Sequence, residues 1–370
     1  MIICQDPDTH DCSSMRPNLA PAAFAASSAD IAHADYDAAV ASIEAVLQGL
    51  KAQAGGPPAA GDAEKQALLA AHLPALHAFN DAWAAFTRAG QALHPDALAA
   101  LRASVQARLH PLILDSPFAR RCFEKPLGYA GDYVMVRHIL GDPFQGDSAF
   151  AQLVNFALVQ ADVAQGHRNR IRILEALLGK VAQGAAAAGR IATGLTIGCG
   201  PAEETWRFIR DDPHAGSLAL DLLDFNAETL DWTASRLADA CREADRLGRG
   251  APALRYLHES VYDLAKKKPA TVVPGYDLVI CAGLFDYLTD AFCRRVIEFG
   301  ARSLLPGGTL LVTNVSRSDA SFGLSEVLEW DLIYRSAEQL GNLLPRWEGF
   351  TASVRVDETG TNVVAQLVRE

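Results

Sequence analysis

The chain has 370 residues, half of them apolar, with 33 Lys+Arg against 44 Asp+Glu for a formal net charge of −11. That length allows two domains, or one large domain with an appendage, and a core that needs no covalent staples. The acid surplus excludes a protein whose main work is gripping a nucleic-acid backbone, because that takes a basic face.

Residues 1–30 mix Pro, Ser, Ala and Asp without periodicity and read as a loose tail. Asp6, Asp8 and Asp11 stand where a signal peptide carries basic residues, so a cytoplasmic chain is expected. From Tyr36 the pattern turns helical, with Tyr36, Val40, Ile43, Leu47 and Leu50 spaced four, three, four and three apart. A Gly/Pro-rich break at 54–61 ends that helix. A second stripe carries Leu69, Leu73, Leu76, Phe79, Trp83 and Phe86, with Pro74 as a kink candidate. A third carries Leu98, Leu101, Val105 and Leu109 behind Pro95, a residue suited to a first helical turn. Stripes of this kind mark helices packing on helices. Helical signal returns over 150–163 and 168–178, and the stretch 183–189 reads as a flexible joint. The expected division is a tail over 1–30, a helical cap over 31–165 and a ligand-binding domain over 166–370.

Beyond the joint, short apolar runs at 195–197, 218–223, 254–257, 278–281 and 310–312 alternate with helical stretches such as 228–247 and 292–304. That alternation predicts an α/β fold with right-handed crossovers and a mostly parallel sheet. Residues 351–356 and 362–368 flank Asp357-Glu358-Thr359-Gly360 and predict a terminal antiparallel hairpin. No run reaches the roughly 18 apolar residues of a membrane span. The seven cysteines, Cys4, Cys12, Cys122, Cys199, Cys241, Cys281 and Cys293, form no C-x-x-C pair, which fits a reducing compartment. Neither they nor the ten histidines show metal-ligand spacing, so no metal is expected.

The first predicted strand runs into Thr196-Ile197-Gly198-Cys199-Gly200-Pro201-Ala202-Glu203-Glu204 and a helix. Gly198 and Gly200 at this bend let a ligand approach the backbone and the helix N-terminus. A dinucleotide fingerprint would need a third glycine at Glu203. Instead Glu203 and Glu204 would repel a pyrophosphate there, but would tolerate a cationic ligand without phosphate, such as S-adenosylmethionine. A plain glycine turn is the alternative. Asp224 and Phe225 end the second strand, about 20 residues on, where an acid takes ribose hydroxyls; a helix cap is the competing role for Asp224. Ser260 and Val261 follow the third strand, beside an adenine, and Ala282 and Gly283 follow the fourth, leaving room for a thioether. All of these fall at the carboxyl ends of parallel strands.

These features resemble class I S-adenosylmethionine-dependent methyltransferases from about residue 195 to the C-terminus, together with Asp277-Leu278-Val279-Ile280 and the Leu305-Pro306-Gly307-Gly308-Thr309 turn. Three strings give a closer likeness: 125–133 (KPLGYAGDY), 282–288 (AGLFDYL) and 329–335 (EWDLIYR). They resemble bacterial extracellular-factor 3-hydroxypalmitic acid methyl ester biosynthesis proteins. The resemblance implies a Rossmann-like sheet with a terminal hairpin behind a helical N-terminal domain, and S-adenosylmethionine as methyl donor or sole substrate. Two positions depart from the pattern. Thr196 stands where an acid is usual, and Ala202 where a third glycine is.

The resemblance further implies that Tyr129, Asp132 and Tyr133 form part of a lid. From the residues alone, Arg168 and Arg170 can pair with a carboxylate or form a solvated face. Asn314 is expected just beyond the fifth strand, pointing into the crevice. Trp330 and Tyr334 are expected on one face of a helix, with core packing the alternative for Trp330. The leading function is an O-methyltransferase making the methyl ester of a small carboxylic acid, such as a 3-hydroxy fatty acid signal. An ionised carboxylate acceptor needs no general base; an amine or alcohol would draw on Tyr129, Tyr133 or Asp132. The alternative enzyme is a cyclase turning S-adenosylmethionine into azetidine-2-carboxylate and methylthioadenosine, with no partner beyond that ligand. A non-catalytic binding protein is the third reading. A homodimer is also allowed for.

Overall fold

The computed structural model describes residues 28–264 and 272–370. Most of the expected tail, with Cys4 and Cys12, lies outside the described residues. Helix α1 (Ser28–Gln53) already begins within the span read as tail. Its apolar stripe from Tyr36 to Leu50 is buried throughout. It packs on α2 (Asp62–Gln91), which runs through Pro74, and on α3 (Pro95–Ile113), which starts at the proline expected in its first turn. Three shorter helices follow: α4 (Pro117–Glu124), α5 (Tyr133–Leu140) and α6 (Ala149–Val159).

Helix α7 (Asp162–Ala187) corrects two expectations. The boundary at 165/166 falls inside it, and the joint at 183–189 is mostly its last turn. Alanines at 185–187 favour helix, and only Gly189, at φ 62°, breaks away.

Seven strands form one sheet in the order β3-β2-β1-β4-β5-β7-β6. They are β1 (Ala192–Ile197), β2 (Leu218–Asp224), β3 (Ala253–His258), β4 (Tyr276–Cys281), β5 (Leu304–Val315), β6 (Phe350–Val356) and β7 (Asn362–Arg369). The first five are parallel; β7 runs antiparallel to both β5 and β6. The connecting helices are α8 (Glu203–Asp211), α9 (Ala227–Arg246), α10 (Val261–Leu264), α11 (Asp290–Arg302), α12 (Asp319–Leu328) and α13 (Ala337–Gly341). The Pro306-Gly307-Gly308 turn expected before β5 is an irregularity within it: Tyr276 pairs with Leu304, yet Leu278 pairs with Thr309.

Side chains alternate across the sheet. Leu278 and Ile280 face α7, α8 and α9, while Val279 and Cys281 face α11. Both faces are covered, as a parallel sheet requires. The third core is less local. Phe322, Leu324, Val327 and Leu328 of α12, which follows β5 in sequence, are buried among α1–α6. The helical layer is thereby fastened over one end of the sheet. No helix of the described residues is long and apolar enough to cross a membrane.

Candidate functional site

A cavity of about 490 Å³ lies at the carboxyl ends of β1, β2 and β4, closed from above by residues 127–136 and α7. Its floor is the glycine loop. Gly198 and Gly200 take φ of 68° and 51°, values a side chain resists. Ala202 follows at φ 46° and leads into α8, which opens with Glu203 and Glu204.

Asp224 secures that loop. Its Oδ2 accepts the Gly200 N–H at 3.0 Å and its Oδ1 the Asn226 N–H at 3.0 Å. The cap of α9 is Asn226, not Asp224. Burial raises the Asp224 pKa, against the pull of those backbone donors. Each of its oxygens retains a lone pair for a ligand. Phe225 presents its ring to the cavity and packs 5.4 Å from Tyr129. Ser260, Val261, Ala282 and Gly283 also line the cavity.

Four further groups set its electrostatics. Glu203 is engaged by Arg207 (2.9 Å) and Arg236 (2.6 Å). Glu204 is buried and lines the cavity, and no side chain donates to it among the described residues. Burial, aided by Glu203, pushes its pKa up to about 7. Asp286 is buried as well, accepting the Val315 N–H at 2.6 Å, and burial raises its pKa. Arg170 is the only Lys or Arg lining the cavity among the described residues. Its guanidinium lies 3.0 Å from where a Cβ on residue 283 would stand, and Gly283 takes φ 82°, a conformation that side chains resist. Burial lowers the Arg170 pKa, and Asp286 and Glu204 oppose that shift.

Four expected site residues, Asp132, Arg168, Asn314 and Tyr334, are not on the cavity wall. Asp132 caps α5 through the Met135 N–H (2.9 Å) and pairs with Arg121 (2.6 Å). A buried acid at a helix N-terminus satisfied in this way has a structural role. Arg168 donates to the Val159 carbonyl at 2.6 Å. Asn314 lies inside β5 rather than beyond it, giving its amide to the Ile333 carbonyl (2.9 Å) and accepting from Arg335 (2.6 Å). Arg335 itself is buried and ties to Asp290, Phe285 and Leu288. Tyr334 donates to the Ser321 carbonyl at 3.5 Å. The stretch 329–335 is not helical, so Trp330 and Tyr334 do not share a helix face. Glu329 ends α12 at φ 51°, and backbone bonds from Ile333 to Asp286 and from Arg335 to Val315 hold the stretch against the sheet.

Tyr129 and Tyr133 do reach the cavity; the Tyr133 hydroxyl donates to Glu228 at 3.0 Å. Burial raises both phenol pKa values, so neither is poised as a base near neutral pH. Tyr287 and His167 are among the lining residues that sequence reasoning missed. Tyr287 opens its ring to the cavity while its hydroxyl accepts the Trp330 indole N–H at 2.9 Å. That hydroxyl stands 2.1 Å from where a Cβ on residue 131 would be, so Gly131 lets the three strings meet. His167 receives the Arg170 guanidinium on Nδ1 at 2.7 Å, and burial with that cation drives its pKa well below 6.5. The spacing of His167, Arg170, Ile171 and Leu174 on one face of α7 was the available signal.

No family model matches the chain. Ubiquinone biosynthesis O-methyltransferase of Xanthomonas campestris pv. campestris (strain B100) is 32% identical over 91 residues, 25% of this chain and 32% of that protein. The chain thus spans about a third of the length of the curated relatives it matches. Among solved structures, a possible exported protein from Bordetella parapertussis aligns over 95% of this chain and 99% of its own (16% identity, TM-score 0.49). Magnesium protoporphyrin IX methyltransferase from Synechocystis PCC 6803, with S-adenosylhomocysteine bound, aligns over 68% and 98% (14% identity, TM-score 0.42). The N-methyltransferase NodS from Bradyrhizobium japonicum WM9 aligns over 55% and 87% (16% identity, TM-score 0.36). The fold rests on the strand order itself, five parallel strands closed by a reversed β7 between β5 and β6. That is the Rossmann-like sheet with a terminal hairpin that the resemblance implied.

Proposed function

We propose that the cavity binds S-adenosylmethionine and that the protein moves its methyl group onto the carboxylate of a small, largely apolar acid. The observation that carries this reading is the glycine turn ringed by acids. Glu203, Glu204 and Asp224 crowd the N-terminus of α8, where they disfavour a phosphate and suit a cationic nucleoside. Asp224 takes the ribose hydroxyls, and Phe225 and Val261 flank the adenine. Arg170 pairs with a carboxylate of the bound reactants. Met135, Val136, Ile139 and Ile171 give the cavity an apolar wall for the acceptor's chain.

When bound, the cofactor supplies a methyl carbon on a positively charged sulfur; a C–O bond forms as the C–S bond breaks, leaving an ester and a neutral thioether. The chain's part is to hold the reactants in line and exclude water. A carboxylate acceptor is already ionised at neutral pH, so a neutral His167 and un-ionised tyrosines suffice. The likeness of the three strings makes a 3-hydroxy fatty acid the first acceptor to try.

Purified protein with S-adenosylmethionine and a set of 3-hydroxy fatty acids is expected to release S-adenosylhomocysteine and methyl ester in equal amounts, and neither without acid. Methylthioadenosine formed from S-adenosylmethionine alone would contradict methyl transfer and point to azetidine-2-carboxylate formation instead.

A further inference from the structure

We infer that Glu204 is the residue that reads the ammonium of the ligand's amino-acid end. The inference rests on the proposed S-adenosylmethionine site and concerns the part of it that the strand ends leave without a charge. Among the described residues five acids line the cavity; Glu259 follows β3, and of the other four, three are engaged. Glu203 holds Arg207 and Arg236, Asp224 holds two backbone N–H groups, and Asp286 holds the Val315 N–H. At the end of β1, the residue facing the same space is the neutral Thr196.

Glu204 differs from all of them. It is only 5% exposed, lines the cavity, and among the described residues takes no donor beyond its own backbone N–H. A buried carboxylate without a donor costs several kcal/mol in principle. That cost is offset when a ligand cation arrives, which makes such a group a recognition element. The charged groups facing it are Glu203 on its own helix, Arg170 on α7 and Arg236 on α9, with the un-ionised Cys199 thiol beside it. Its charge therefore meets attraction from two cations that other groups share: Arg170 gives one N–H to His167, and Arg236 pairs with Glu203.

The test compares two nucleosides by calorimetry: S-adenosylhomocysteine, which carries the ammonium, and methylthioadenosine, which lacks the amino-acid end. Glu204→Gln is expected to weaken S-adenosylhomocysteine roughly tenfold to a hundredfold, the loss of one charged hydrogen bond. Methylthioadenosine should bind wild type and variant within about threefold, which also shows the variant's site to be folded. Equal loss of both ligands, or loss of neither, would overturn the assignment. Wild type binding neither nucleoside would instead overturn the cofactor reading, and the inference with it.

Discussion

Glu204 shows how a binding group weighs on the protein that carries it. Its pKa of about 7 in the fold stands above the 4.5 of an ordinary glutamate, so the folded chain binds this proton more tightly than the unfolded one. A raised folded pKa means stability that is full below pH 4.5 and is lost as pH rises through 7. Glu204→Gln removes the titration. Without ligand, the variant is expected to be more stable than wild type at pH 8, by on the order of 1–3 kcal/mol, and nearly equal to it at pH 4.5. Denaturant midpoints at the two pH values check this; a variant less stable at pH 8 would contradict it. The cavity residues divide by legibility along similar lines. Gly198, Gly200 and Asp224 could be placed from spacing after a strand. Asn314, Tyr334 and Asp132 looked like site residues because polar side chains near a strand end or in a Gly/Tyr-rich loop usually are. Instead Asn314 is tied up with Arg335, Tyr334 with a backbone carbonyl and Asp132 with the α5 cap and Arg121. The Asn314–Arg335 and Tyr334–Ser321 partnerships join separate elements and leave no local pattern, whereas the Asp132 cap was a local signal before an apolar helical run.

At the scale of elements, α12 decides how the two halves meet. It was not foreseen as part of the helical layer, because it follows β5 and its contacts with α2 and α3 span more than 200 residues. Phe322 meets Phe86 edge-on at 5.1 Å, and Arg102 pairs with the buried Glu326 at 2.9 Å. Gly323 presses so closely on α2 that a Cβ would stand 2.1 Å from the Trp83 ring. Gly323→Ala therefore sets two effects against each other. Alanine favours the helix by about 1 kcal/mol, while overpacking a filled core costs about 1–3 kcal/mol. With a contact this short the overpacking wins, and the melting temperature is expected to fall by a few degrees. A rise in melting temperature would show that the α2–α12 contact yields freely. The strands were more legible than the helical layer's closure. The five parallel strands each carry a short apolar run, and the crossover rules leave few ways to pair them. The non-helical course of 329–335 was not legible, because its i, i+4 aromatics imitate a helix.

For the whole molecule, the net charge of −11 first served only to exclude a nucleic-acid grip. The structure gives that surplus a local counterpart: among the described residues, five carboxylates line one cavity beside a single arginine, at the end of a sheet whose order marks a ligand crevice. The fold alone admits many ligands, and the acids at the helix N-terminus choose between them. The most direct measurement is a calorimetric titration of the wild-type chain with S-adenosylhomocysteine and, in parallel, with NAD, repeated for Asp224→Ala. One molecule of S-adenosylhomocysteine per chain is expected to bind, NAD is expected not to, and Asp224→Ala should bind the nucleoside at least about tenfold more weakly. Binding of NAD in preference, or an S-adenosylhomocysteine affinity untouched by Asp224→Ala, would contradict a cationic-nucleoside site built on the glycine loop and Asp224.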